Sequence, residues 1–237
     1  MQIRAKTFVD AWNEFDTVET QGYPPGFITV FKRRADRGDL GSLEVLYSIY
    51  KDGIRSGSRW LVRKDLRSAM RYRARSAELG EPEAMTAMAN QLKKSKRTKP
   101  LALRLYRKAF RKGYSSAASN LALTYKKEKK FALAVAWYRR AASLGDEAAL
   151  LDVAIAELYG VGTRRNVLAA FAKLRRIARS RASYIPDKWL QIQAMLTMSR
   201  ALDNGWLVQM DTAEAFRWLK RAASLGSSIA RAEMLGH

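Results

Sequence analysis

The chain has 237 residues, of which 48% are hydrophobic, and 44 Lys plus Arg against 22 Asp plus Glu leave a net charge of +22. That apolar content suffices for a sizeable core, so a disordered tail is excluded, and the charge favours acidic or polyanionic partners. With no cysteine and a single histidine, the final residue His237, the sequence offers no disulfide, thiolate nucleophile, Cys-ligated zinc or His-based triad.

At the N-terminus, MQIRAKTFVDAWNEF places Asp10 and Glu14 where a secretion signal needs an unbroken apolar stretch, so a cytoplasmic location is expected. The longest apolar run, FALAVAW at 131–137, is far shorter than the ~20 residues that span a bilayer, and no membrane segment is expected. Phe8, Trp12 and Phe15 are spaced for one helix face, which predicts a capping helix over about 7–20. Its acids, Asp10, Glu14, Asp16 and Glu19, could remain solvated, pack on the chain's own basic body or meet a neighbour's basic face.

From Phe27 onward the chain repeats. RAASLG occurs at 140–145 and again at 221–226, and the residues before each glycine follow one rule: small at −11, bulky at −8 and −7, small at −4 and −3. Before Gly145 these are Ala134, Trp137, Tyr138, Ala141 and Ala142; before Gly226 they are Ala215, Trp218, Leu219, Ala222 and Ala223. Gly113, Gly80 and, more weakly, Gly38 head similar stripes, and a sixth copy has Arg181 at the corner. Such offsets trace one face of an α-helix, and glycine is the residue that accepts the left-handed turn ending it.

After each corner a second stripe begins, small at +4 (Ser42, Ala84, Ala117, Ala149, Ala230) and bulky at +8 (Leu46, Met88, Leu121, Val153, Met234). Each unit is therefore a pair of antiparallel helices that needs neighbours to complete its core. The expected fold is all-α: a right-handed α-solenoid of about six antiparallel helix pairs plus an N-terminal helix, forming one continuous domain. Approximate repeats are 27–64, 65–98, 99–130, 131–165, 166–210 and 211–237, after a capping segment at 1–26. Helix starts agree: Asp65, Asn166, Pro100 in a first turn, and Asp211 with Glu214 as a capping-box pattern. GIRSGSRWLVRK at 53–64 departs from the pattern and reads as a loop.

The Ala, aromatic, Ala-Ala and Leu-Gly pattern, the Ala four after each glycine, and LYGVGTRRN at 158–166 together resemble the Sel1-like repeats, a branch of the tetratricopeptide-type helical repeats. The resemblance runs from about Phe27 to the C-terminus and implies adaptor work without catalysis. In bacteria the family includes regulators and immunity proteins that neutralise secreted toxins.

Charge is uneven. Residues 55–112 hold 18 Lys plus Arg and four acids, and 164–181 hold seven bases and no acid. Basic pairs recur at −6 and −5, including Arg107/Lys108, Arg139/Arg140, Arg175/Arg176 and Lys220/Arg221, as a ladder that either is a solvated face or grips a partner. Lys93, Lys94, Lys96 and Arg97 form a basic loop, and Arg104, Arg107, Lys108 and Arg111 fall on the helix face opposite Ala102, Leu105 and Ala109. Trp60 and Trp206 lie outside the stripes and are candidate exposed anchors, whereas Tyr72, Tyr106, Tyr125, Trp137 and Tyr138 mostly fill core positions.

These features predict a non-catalytic scaffold whose basic surface binds an acidic protein, an immunity or regulatory adaptor facing an acidic effector being one such role. The alternative is sequence-nonspecific nucleic-acid binding by the same bases. No catalytic residue, cofactor or metal is expected, and the bare apolar end of the last repeat, with Met234 and Leu235, could support self-association.

Overall fold

A computed structural model describes residues 8–180, 185–205 and 208–235. The chain divides into two compact units, Met1–Tyr114 and Ser115–His237.

In the first unit, α1 (Phe8–Thr20) lies on α3, and the helices α2 (Phe27–Asp36), α3 (Leu40–Asp52), α4 (Leu66–Glu78), α5 (Pro82–Leu92) and α6 (Lys99–Arg111) each pack on the next. The capping helix seats itself with rings: Phe15 meets Phe31 and Trp12 edge-on, with centroids 6.1 and 5.7 Å apart. Its acid Glu14 pairs with Arg34, so of the three fates open to the acidic face this carboxylate takes the intramolecular one. Tyr23, closing the turn after α1, donates to Glu19 at 2.8 Å, and burial with that carboxylate raises its phenol pKa to about 12.

Residues 54–62, expected as loop, form a β-hairpin instead: β1 (Ile54–Ser56) pairs antiparallel with β2 (Arg59–Val62) around Gly57-Ser58. Burial alternates along β2, where Trp60 and Val62 turn inward and Arg59 and Leu61 outward; on β1 Ile54 turns into the core beside Val62, and after a register irregularity Arg55 and Ser56 both face solvent.

The second unit stacks α7 (Ser115–Lys127), α8 (Phe131–Ser143), α9 (Glu147–Tyr159), α10 (Val167–Arg179), α11 (Ile185–Asn204), α12 (Thr212–Ser224) and α13 (Ser228–Met234), again each on its neighbour. Within the first unit α2 packs on α3 and α4 on α5, and within the second α8 packs on α9, α10 on α11 and α12 on α13, the helix pairs of the all-α solenoid that the repeats predict.

The stripes land where the offsets place them. Ala69, Ala102, Ala134, Ala170 and Ala215 at −11 are buried, as are Ser42, Ala84, Ala117, Ala149 and Ala230 at +4. Corner glycines Gly38, Gly80, Gly113, Gly145 and Gly226 all have φ between +86° and +100°, a region costly to any residue with a Cβ. The sixth corner, Arg181, lies outside the described residues.

Caps follow the same repeat. Asp39, Asp146 and Asn166 accept from the backbone N–H of Ser42, Ala149 and Ala169 at 2.8, 2.9 and 3.0 Å, and Asp65 accepts from both Arg67 and Ser68. Those bonds with the Ser68 hydroxyl hold the Asp65 carboxyl below its ordinary pKa. Asp211 caps α12 through Glu214 N–H, but Glu214 does not return the bond: its carboxylate takes Arg175 at 3.3 Å and Trp218 Nε1 at 3.2 Å, so only half of the capping box forms. Asp146→Ala should lower stability by about 1 kcal/mol in urea unfolding, the usual value of an N-cap; an unchanged midpoint would show the cap to be idle.

Candidate functional site

The basic residues separate by position. In α2, α8 and α10 the base at −6 is held by its own unit: Lys32 by the Tyr50 hydroxyl, Arg139 by Glu157 at 3.2 Å and Thr163 at 2.9 Å, and Arg175 by Glu214. Lys32 also sits 5.7 Å from the Tyr50 ring centre, and the hydroxyl holds its ammonium pKa above the ordinary value. Glu157 is buried and also takes Lys173 at 2.7 Å, so one carboxylate answers two bases.

At −5 the bases face solvent. Arg140 lies flat on Trp137, 4.3 Å from the ring centre, and Arg221 lies 5.9 Å from that of Trp218. Lys108 and Arg176 are exposed and make no ion pair among the described residues, and the same holds for Lys220 at −6. Within each unit, therefore, part of the ladder is internal glue and part is free positive surface.

The strongest free surface in the first unit is α6. Arg104, Arg107, Lys108 and Arg111 are exposed on one face, and Ala102, Tyr106 and Ala109 are buried on the other, with Leu105 half-buried between them. Arg104, Lys108 and Arg111 have no acid to pair with among the described residues. At the preceding turn Lys96 and Arg97 are exposed, while Lys93 reaches Asn90 at 2.7 Å and lies over the Tyr106 ring, and Lys94 reaches Gln91 at 3.3 Å.

Tyr106, Tyr125 and Tyr138 are buried, and their burial raises the phenol pKa of Tyr106 and Tyr138. They offer no stacking platform to a nucleic-acid strand. Trp60, a candidate exposed anchor, is half-buried within its own hairpin: its ring closes over Gly53, where an added Cβ would come within 2.5 Å, and Arg55 covers it at 4.0 Å. Trp206 lies outside the described residues. Ile229 of α13 is 49% exposed and Leu235, just past its end, 91%, whereas Met234 packs on the core.

Two depressions in the second unit flank the segment 160–166 and were not singled out by sequence. One, about 160 Å³, is apolar and lies beside Phe131, Val135, Tyr138, Ile155, Tyr159 and Val161; the other, about 470 Å³, is lined by Arg139, Glu157, Thr163, Arg164, Arg165 and Asn166. Their apolar members read as ordinary stripe residues, so periodicity alone cannot separate a socket from a core.

The Sel1 repeat matches this sequence at residues 47–81, 82–114, 115–146, 148–172 and 192–227. These matches start near the second helix of each pair and so run half a unit out of phase with boundaries drawn at the first. No curated protein matches the sequence. Among solved structures, a Sel1 repeat protein from Oxalobacter formigenes is 19% identical with a TM-score of 0.67, over 96% of this chain and 87% of that one. A protective antigen with an SLR fold from uropathogenic Escherichia coli is 22% identical with a TM-score of 0.65, over 87% of this chain. The chain spans only 43% of that antigen's length. An immunity protein from Pseudomonas aeruginosa is 16% identical over 91% of this chain and 82% of its own, with a TM-score of 0.46, a likeness too distant to bear on role.

Proposed function

The chain belongs to the Sel1 repeat family, whose repeats serve as protein-interaction scaffolds, and on that premise we propose that it is a non-catalytic scaffold whose basic faces bind an acidic protein. The observation that carries this is the face of α6, where Arg104, Lys108 and Arg111 stand exposed without a counter-charge among the described residues. Like charges set at one helix face repel one another, and an acidic partner relieves that cost while gaining steering and specificity. Burial of Tyr106, Tyr125 and Tyr138 removes those rings as base-stacking platforms, which weighs against a single strand threaded along them. The immunity role implied by the family resemblance is one form of this reading, with an acidic secreted toxin as the occupant.

The test captures partners from the native cell with and without nuclease treatment and then measures affinity against salt with the protein that survives nuclease. Reversing Arg104→Glu, Lys108→Glu and Arg111→Glu together should weaken that affinity by about tenfold or more, a loss of about 1.4 kcal/mol. Recovery of RNA or DNA alone, with loss of all binding in the reversed variant, would overturn the protein-scaffold reading.

A further inference from the structure

The segment 160–166 runs between the two depressions of the second unit, and the same helices line both. On α8, Tyr138 faces the apolar depression and Arg139 the basic one; on α9, Ala156 and Glu157 divide in the same way; on the connecting segment, so do Val161 and Thr163. Consecutive residues on a helix point about 100° apart, so these pairs place an apolar opening and a basic opening side by side on one surface.

The segment is fixed in place. Gly160 ends α9 with φ +73° and Gly162 follows with φ +72°, its α-carbon so close to the start of α8 that an added Cβ would lie 2.8 Å from Ala132 N and closer still to the Phe131 carbonyl. The Asn166 N–H then bonds the Glu157 carbonyl at 2.8 Å. Neither opening therefore depends on a loose loop.

Their chemistries differ in a useful way. The apolar opening keeps Phe131, Tyr159 and Val161 at 39%, 44% and 45% exposure, so large apolar surface stays in water at its rim. Its volume of about 160 Å³ is that of one large side chain. On the other side, Arg164 and Arg165 are exposed with no acid of their own among the described residues, and Glu157 is already shared between Arg139 and Lys173. That leaves the cleft positive.

We propose that these two openings form a bipartite site for an acidic peptide segment carrying one large aliphatic or aromatic residue. The apolar side chain enters the socket beside Val135 and Ile155, and a neighbouring carboxylate pairs with Arg164 and Arg165 across the segment 160–166. Charge complementarity selects this occupant over a second copy of the chain: a molecule of net charge +22 repels itself, the one acid lining the socket, Asp152, is already paired with Lys126 at 2.9 Å, and Arg164 and Arg165 on the other side have no acid among the described residues. The inference rests on the scaffold reading and gives it a ligand class and a place.

The test uses the full chain and synthetic decapeptides rich in Asp and Glu with one central residue, Leu or Phe, and Ala or Ser as controls. Methyl-labelled NMR should show the Leu and Phe peptides shifting Val135, Ile155 and Val161, with affinity at least about tenfold above the Ala peptide. Arg164→Glu with Arg165→Glu should remove about tenfold of that affinity, while Arg37→Glu with Arg63→Glu, exposed bases of the first unit, should leave these methyl shifts in place. Both variants change exposed side chains, and circular dichroism confirms that each is folded. Equal binding of Leu and Ala peptides, shifts located elsewhere, or no binding of any acidic peptide would overturn the site. None of those outcomes touches the scaffold reading, which is decided by the captured protein and the α6 reversal.

Discussion

Arg73→Leu should destabilise the protein by about 3–5 kcal/mol, and adding Glu44→Leu should recover most or all of that loss. Arg73 occupies the −7 position, which in the other units holds Phe31, Tyr106, Tyr138, Leu174 and Leu219, all buried. Here an arginine side chain is 8% exposed, pairs with Glu44 at 2.8 Å, reaches Glu83 only at 4.0 Å, and stacks on Tyr47 at 3.7 Å. Its Nε has no partner among the described residues, and Asp39 Oδ1, Ser42 Oγ and Ser76 Oγ are likewise unsatisfied in this unit.

The pair is therefore costly to make and costlier to break. Burial raises the Glu44 pKa above the ordinary carboxylate value, and the attraction of Arg73 only partly offsets it. With the folded pKa raised, the charged form is disfavoured in the native state: stability is fully present below the unfolded pKa and declines as pH rises through the folded one. Wild type should thus lose ground to the double variant as pH rises above the ordinary carboxylate range, as read by urea midpoints. A double variant no more stable than Arg73→Leu alone would show that the site needs its ions.

Gly162→Ala should cost about 3 kcal/mol or more, against about 1–2 kcal/mol for Gly145→Ala. Both glycines are left-handed, at φ +72° and +87°, so both substitutions carry the backbone penalty. They differ in surroundings. A Cβ at Gly145 meets nothing within 4 Å, whereas at Gly162 it overlaps the backbone of Phe131 and Ala132, which cannot swing aside like a side chain. Unfolding of the two variants side by side measures the difference, and equal losses would mean that the segment 160–166 is not seated on α8.

Much of this architecture is legible in local sequence. RAASLG, Ala at −11 and the small residue at +4 state local rules, a helix face and a left-handed stop; the corner glycines and the +4 residues obey them from Gly38 on, and the −11 position from Gly80 on, Phe27 filling it before Gly38. Contacts between elements were less legible. Position 73 falls at −7 of the Gly80 stripe, but its partner Glu44 stands 29 residues away, and nothing in the periodicity couples them. The hairpin at 54–62 is hard to read because its alternation is confined to the four residues of β2. Glu214 matched a capping box by spacing, yet Arg175, 39 residues earlier, outbids the Asp211 N–H, which bonds the Leu202 carbonyl instead.

Adjacent residues of the basic ladder answer to different masters. Arg139 is tied to Glu157 and Thr163 inside the fold, while Arg140, one residue on, leans over Trp137 at the surface. Over evolutionary time they should drift independently: position 139 should covary with 157 and 163 in relatives, and position 140 with the surface of whatever each relative binds. Neighbouring letters of one sequence would then record two histories, one of a fold and one of a partner.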